Sequence, residues 1–306
     1  MAKVVVFGGS GFLGSHVCEE LVSRGHEVVN FDRSKRDGFE VGVFVQGDIL
    51  DQTKVDLAVE EADYVYNFAG LSDINDAKNK PTKTAQLNIL GNANILEACA
   101  KAKVKRFFFA SSVYVCGDSG SFYCASKQAS ERYTELYFDR YQLPFTILRY
   151  GSLYGRRADG RNAIYRFIHE ALKNGKISYK GTGDEIREYI HIEDAARASV
   201  QALDSDFRNQ HIVVTGSQVF RVKDVLKMIQ EILGDSDIKI QFENCDIDSH
   251  YNVTPYRYKP SLGRKFVMNP FVDMGQGILD CVHEISDCEG ISSSIKEGLS
   301  RQPISG

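Results

Sequence analysis

The chain has 306 residues, 43% hydrophobic and 25% charged, the composition of a soluble globular protein with one large domain or two smaller ones. A formal net charge of -4 and a pI near 6.0 give no global electrostatic reason to expect nucleic acid. Seven cysteines form no C-x-x-C pair, so neither a disulfide framework nor a metal site is expected; a reducing cytoplasm fits best, and no apolar run approaches the length of a membrane span.

"MAKVVVFGG" enters a strand after two residues, without the charged start and long apolar stretch of a leader. "VVVFGGSGFLGSHV" then reads as strand, glycine turn and helix, with Gly8, Gly11 and Gly14 spaced G-x-x-G-x-x-G and Phe12 and Leu13 opening the helix. Glycines suit a tight turn where a pyrophosphate approaches backbone N–H groups at a helix N-terminus, although an ordinary strand-to-helix turn would read the same. The second strand, "EVVNFD", ends in Asp32, where a carboxylate accepts hydrogen bonds from both adenosine ribose hydroxyls and repels a 2'-phosphate. NAD is therefore expected over NADP, with Arg33, Lys35 and Arg36 either a phosphate signal or a solvated basic loop.

"GVFVQGD" closes at Asp48-Ile49 and "DYVYNFAG" at Phe68-Ala69-Gly70, both at the carboxyl edge where ligands collect in doubly wound sheets. "TAQLNILGNANILEACAKAK" sets Leu87, Ile89, Leu90, Ile95, Leu96 and Cys99 along one helical stripe. The strand "VKRFFFASS" ends at Ser112, and Tyr123 and Lys127 follow at i and i+4 on one helix face. Ser112 could hold a hydroxyl or carbonyl while Tyr123 exchanges its proton. Lowering a phenol from its ordinary value near 10 by about three units takes roughly 4 kcal/mol, which Lys127 and a cationic nicotinamide could supply. About one Tyr-x-x-x-Lys arises by chance among 15 tyrosines, but only Tyr123 has Lys four residues later, and it follows a strand ending in serines.

"PFTILRYG" is the sixth strand, and "HIVVTG" at 211–216 reads as a late return to the sheet. Alternating strands and amphipathic segments predict an α/β, Rossmann-type doubly wound parallel sheet over residues 1–150 plus about 190–216. Helices are expected near "AIYRFIHEALKNG" and "HIEDAARASVQAL". A smaller substrate region, about 151–189 and 217–306, interleaves with the sheet.

These motifs together resemble the extended short-chain dehydrogenase/reductase family, in its NAD-dependent nucleotide-sugar epimerase/dehydratase branch. The resemblance covers at least residues 3–200 and rests on "GGSGFLGSH", "NFAG", "NILGNANILEAC", "SSVYVCGD", "YCASK", "LRYGSLYGRR" and "REYIHIEDAARA". It implies a Rossmann domain carrying a smaller sugar-nucleotide domain. It also implies a homodimer packed through two long helices, here near 84–102 and 123–142. Ser112 looks like the family's serine or threonine, Tyr123 like its proton donor/acceptor and Lys127 like its ribose-binding lysine. Arg187 is similar to an arginine on the nucleotide diphosphate, with an ion pair to Glu185 or Glu188 as the alternative. Tyr150, Gly151 and Ser152 stand where relatives line nicotinamide and substrate. "HYNVTPYRYKPSLGRKF" at 250–266 either finishes the pocket or forms a surface loop.

The departures narrow the reading. Only ten residues separate Ser112 from Tyr123, where relatives place a longer loop, so the site is either more open or covered by another segment. Cys116 and Ser152 replace a usual tyrosine and asparagine, and Cys116 and Cys124 are expected as packing residues. Val113 and Tyr114 occupy the positions where dehydratases carry an acidic pair, which disfavours a 4,6-dehydratase. Tyr114 is a candidate second acid/base or sugar contact, or an aromatic packed beneath the cofactor. The expected activity is oxidation and reduction at C4 of a nucleotide-linked sugar, as a 4-epimerase, or as a 4-dehydrogenase or ketoreductase if the ketone leaves. A non-catalytic NAD-binding regulator is the reading of another class, and the retained Tyr123 and Lys127 argue against it.

Overall fold

The computed structural model describes residues 1–117, 119–234, 237–243, 264–266 and 271–288. Six strands follow one another through the first half: β1 (Lys3–Phe7), β2 (Glu27–Asp32), β3 (Val43–Gln46), β4 (Tyr64–Asn67), β5 (Arg106–Ser112) and β6 (Phe145–Tyr150). Two more arrive from the second half, β7 (Gln210–Val214) and β8 (Arg264–Phe266). They form one sheet in the order β8-β7-β6-β5-β4-β1-β2-β3, with every pairing parallel. This is the expected doubly wound sheet, with its late return strand at 210–214. Strand order reverses between β1 and β4, the place where such sheets open a crevice at their carboxyl ends.

Strands buried on both faces read as continuous apolar runs, and Phe107, Phe108 and Phe109 of β5 are buried accordingly. The helices Phe12–Ser23 and Ile192–Gln201 cover one face, sharing a core with Val4, Val6, Tyr66 and Phe108. Helices Gln52–Val59, Gly91–Ala102 and Ser121–Tyr141 cover the other, where Val5, Phe7, Phe107 and Phe109 meet Ile95, Leu96 and Cys99. A third core lies apart from the sheet. It joins helices Ala163–Asn174, Val222–Ile232 and Met274–Cys288 to a parallel strand pair, Lys176–Lys180 with Lys239–Glu243.

The stripe expected at 87–99 differs in one respect. Helix Gly91–Ala102 is preceded by π turns at Ala85–Leu90, yet the buried stripe keeps ordinary helical spacing through Leu87, Asn88, Asn92, Ile95, Leu96 and Cys99, and Leu90 falls on the opposite face, toward solvent. No described helix is long and apolar enough to cross a membrane.

Candidate active site

At the crevice the chain turns on Gly8, whose φ of 78° favours glycine and where a Cβ would stand 2.7 Å from the Ala69 nitrogen. A Cβ on Gly14 would stand 2.1 Å from the Gly8 carbonyl oxygen, so these two glycines are required by the protein's own packing. Gly11 is different. Its φ is an ordinary -73°, and a Cβ there would meet only the Gly8 oxygen, at 3.0 Å. The space beyond is open at the N-terminus of helix Phe12–Ser23, which fits close approach of a dinucleotide pyrophosphate. Leu13 is buried beneath this turn and Phe12 packs at its margin.

Asp32 leaves β2 beside the turn, accepting from the backbone N–H of Ser10 at 3.1 Å and of Arg33 at 2.7 Å. Of the cations that follow, Lys35 pairs with Glu40 at 2.6 Å and Arg36 donates to the Arg157 carbonyl at 3.0 Å, while Arg33 is exposed. Two of the three are thus engaged by the protein itself. Asp48 accepts from Leu50 N–H at 3.0 Å, and Ile49 packs where a Cβ on Gly91 would lie 2.4 Å from its Cδ1. Phe68 stacks near Tyr66, Ala69 N–H donates to the Asn67 side chain, and Gly70 adopts a φ of 147° against Asn88. Gly8, Asp32, Asp48 and Phe68–Gly70 thus all lie at or just beyond the carboxyl ends of β1, β2, β3 and β4.

Next to them β5 ends at Ser112, whose hydroxyl oxygen accepts from Tyr114 N–H at 3.3 Å. Lys127 is buried and donates to the Ala110 carbonyl on the same strand at 2.7 Å; its ammonium lies 4.8 Å from the Phe109 ring centroid and 5.9 Å from that of Tyr123. Burial pushes Lys127 down to about 8, against the upward pull of Glu131 one turn along. Glu131 receives Arg149 in a fork at 3.0 and 2.6 Å and the Ser111 hydroxyl at 2.5 Å, a buried ion pair one helical turn from Lys127.

The short segment between Ser112 and Tyr123 folds back on itself. Val113–Cys116 form a 3-10 turn, the Cys124 thiol donates to the Tyr114 carbonyl at 3.2 Å, and Gln128 donates to the Val115 carbonyl at 3.0 Å. Tyr114 sets its ring edgewise to Tyr123, centroids 6.2 Å apart, and a Cβ on Gly120 would stand 2.7 Å from it. Val113 is buried against Val213. Cys116 is buried beside Arg149, and burial raises its thiol above the ordinary range, so both cysteines of the segment pack.

Ser152 lies beyond β6, its N–H on the Glu188 carbonyl at 3.2 Å. Arg187 is buried on a two-residue strand paired with Phe220–Arg221 and donates to the Ile186 carbonyl at 3.0 Å. Glu185 accepts from Thr182 and Gly183 N–H, and Glu188 from Thr215 and Lys265. Tyr150 sits apart from the triad: its hydroxyl meets Ser199 Oγ at 2.6 Å in the core on the other side of the sheet, and burial raises it well above the usual phenol range. Asp118 and most of the 250–266 stretch lie outside the described residues.

Asn88 is a buried polar residue beside these elements that the sequence did not single out. Its amide oxygen accepts from Leu71 N–H at 2.7 Å, and its nitrogen donates to the Leu71 carbonyl and to Ser126 Oγ, tying the loop after β4 to the helix of Tyr123. Two asparagines four apart in an apolar stripe were the available signal.

A model of the NAD dependent epimerase/dehydratase family matches residues 4–216. The chain belongs to that family. Like its other members it is an NAD-dependent enzyme of the extended short-chain dehydrogenase/reductase branch. Among curated relatives, UDP-N-acetyl-alpha-D-glucosaminuronate decarboxylase of Bacillus cytotoxicus is 29% identical over 319 residues, covering 94% of this chain and 98% of its own. The dTDP-D-glucose 4,6-dehydratase of Mus musculus is 25% identical over 310 residues, covering 90% of this chain and 86% of its own. UDP-glucose 4-epimerase of Thermotoga maritima, solved with UDP-glucose, superposes with a TM-score of 0.82 at 23% identity, over 94% of this chain and 99% of that one, a likeness of fold.

Proposed function

We propose that this enzyme interconverts nucleotide-activated sugars at C4, as a 4-epimerase. The observation that carries the reading is the buried Lys127 ammonium held 5.9 Å from the Tyr123 ring centroid and bonded to the Ala110 carbonyl of the strand that ends at Ser112. A cation this near favours the phenolate and so supplies part of the roughly 4 kcal/mol needed to bring a phenol near neutrality. Tyr123 then takes the proton of the C4 hydroxyl that Ser112 holds, and later returns it. Bound NAD supplies the hydride acceptor and donor. Gly8, Gly11, Gly14, Asp32 and Lys127 hold the cofactor, with Phe12, Leu13, Asp48, Ile49 and Phe68–Gly70 shaping the crevice.

The regions about 151–189 and 217–306 hold the sugar nucleotide, Arg187 taking the diphosphate and Ser152 and Tyr114 lining the sugar. Water elimination needs a carboxylic acid and a carboxylate near the reacting carbons, and the two residues after Ser112 are a buried valine and a tyrosine. Exposed Leu90, Tyr133, Leu136 and Tyr141 on the two long helices fit a homodimer, for which light scattering would give twice 34.3 kDa. The free cysteines Cys18, Cys99, Cys116, Cys124, Cys281 and Cys288 fit a cytoplasmic protein.

The test is a panel of nucleotide sugars followed by product mass, NMR and cofactor absorbance. Unchanged mass with a new C4 configuration is expected. Loss of two mass units with accumulating NADH would make the enzyme a 4-dehydrogenase, and loss of water would overturn the reading. Tyr123→Phe should lower turnover about 10²- to 10⁴-fold while NAD still binds; unchanged function in that variant would point to a regulator.

A further inference from the structure

Arg157 stands outside the reaction centre and joins four segments. Its guanidinium forms a two-armed pair with Glu19 on the glycine-turn helix, Nη1 at 2.9 Å from Oε2 and Nη2 on Oε1, and its carbon lies 5.4 Å over the Phe39 ring. Its carbonyl accepts from Arg36 Nη2 at 3.0 Å. Its N–H is shared by both carboxylate oxygens of Glu284, at 2.9 and 2.8 Å, on the helix Met274–Cys288 that belongs to the third core. Arg157 also has a φ of 65°, a left-handed conformation that a residue with a Cβ keeps only where its surroundings hold it. His16 adds a contact to the Arg156 carbonyl at 3.1 Å.

The placement of these partners gives them a common effect. Arg36 and Phe39 lie in the loop that leaves Asp32, and Glu19 and His16 lie on the helix whose N-terminus opens at Gly11. Two contacts to one loop and one forked ion pair to the helix close that loop against it, and Glu284 fixes the closing residue from outside the sheet. A forked arginine–carboxylate pair stacked on an aromatic ring is specific in direction, so lysine does not replace it.

We propose that Arg157 is a positioning residue that clasps the adenosine end of the NAD crevice and sets how slowly the cofactor leaves. The inference rests on the NAD-dependent reading above and deepens it, because an epimerase must return hydride to the same sugar, and early loss of cofactor strands the ketone. Coupling through Glu284 makes retention sensitive to the position of the third core, the region proposed to hold the sugar nucleotide.

The experiment follows displacement of bound NAD from the full-length protein by fluorescent etheno-NAD, with no sugar present. Arg157→Ala should release NAD at least tenfold faster than wild type. Glu19→Gln, a change on a partly exposed side chain that keeps the fold within reach, should give a smaller rise in the same direction. The exchanged pair Glu19→Arg with Arg157→Glu should recover part of the loss, which a residue that merely stabilises the fold would not do. Release within twofold of wild type in both single variants, or no recovery in the exchanged pair, overturns the proposal. Wild-type protein that exchanges NAD but turns over no nucleotide sugar would refute the epimerase reading alone, since the clasp is read without substrate. Wild-type protein that binds no NAD would overturn both.

Discussion

Lys127→Met tests whether the reaction centre is held at the expense of stability. A lysine lowered from 10.5 to about 8 by burial disfavours folding while both states are charged, by about 2.5 units of about 1.4 kcal/mol each, or roughly 3 kcal/mol. The sign follows from proton counts: between about 8 and 10.5 the unfolded chain binds more protons, so wild-type stability rises with pH through that window. The lysine penalty is complete below about 8 and gone above 10.5. Methionine fills similar volume without charge, losing the hydrogen bond to the Ala110 carbonyl, worth about 1 kcal/mol. The variant should therefore be more stable than wild type by about 2 kcal/mol at pH 7 and less stable by about 1 kcal/mol near pH 11. Urea unfolding of NAD-stripped protein measures both, best in a Tyr123→Phe background so that the neighbouring phenol does not titrate in the same window. A variant less stable than wild type at pH 7, with a difference that does not change with pH, would refute the argument.

The two glycines of the turn should separate packing from binding. Gly14→Ala places a Cβ 2.1 Å from a backbone oxygen and should fail to yield folded protein, whereas Gly11→Ala meets that oxygen only at 3.0 Å and should melt close to wild type yet bind NAD at least tenfold more weakly. Calorimetry and thermal melts decide it, and tight NAD binding by folded Gly11→Ala would remove the pyrophosphate from that space. Asn88→Ala leaves the Leu71 N–H and carbonyl and Ser126 without their partner and should cost roughly 2–4 kcal/mol in urea unfolding, with reduced turnover. A loss below 1 kcal/mol would show that Asn88 does not tie the loop to the helix.

Strands were legible because burial on both faces writes itself as runs such as the phenylalanines of β5, and because the serines ending that run and the glycines ending β1 mark where the chain must leave the sheet. The i, i+4 spacing of Tyr123 and Lys127 anticipated their shared helix face, and the structure sets the Lys127 ammonium 5.9 Å from the Tyr123 ring centroid and on the Ala110 carbonyl of the strand that ends at Ser112. Inward-facing Asn88 was harder to read, because it shares the helical stripe of Asn92, Ile95 and Cys99 but a polar side chain adds nothing to an apolar pattern. Arg157 was equally hidden: its partners are 138 residues upstream and 127 downstream, and a loop arginine among others carries no periodicity. Tyr150 illustrates the converse, a residue at the right strand end whose hydroxyl points into the opposite core.

The helix of Tyr123 carries a motif that was easy to read in a setting that was not. Its buried face carries Ser126, Lys127, Ser130, Glu131 and Thr134, so apolar patterning, which normally orients a helix, is weak there. Electrostatics supplies the reason for that composition. Burial lowers Lys127 and Glu131 on the next turn opposes it; Glu131 is in turn forked to Arg149 on β6. Lys127, Glu131 and Arg149 thus run as a buried chain from the helix of Tyr123 to β6. The arrangement ties the helix of Tyr123 to β6, the strand from which the chain passes to Ser152 and Arg157.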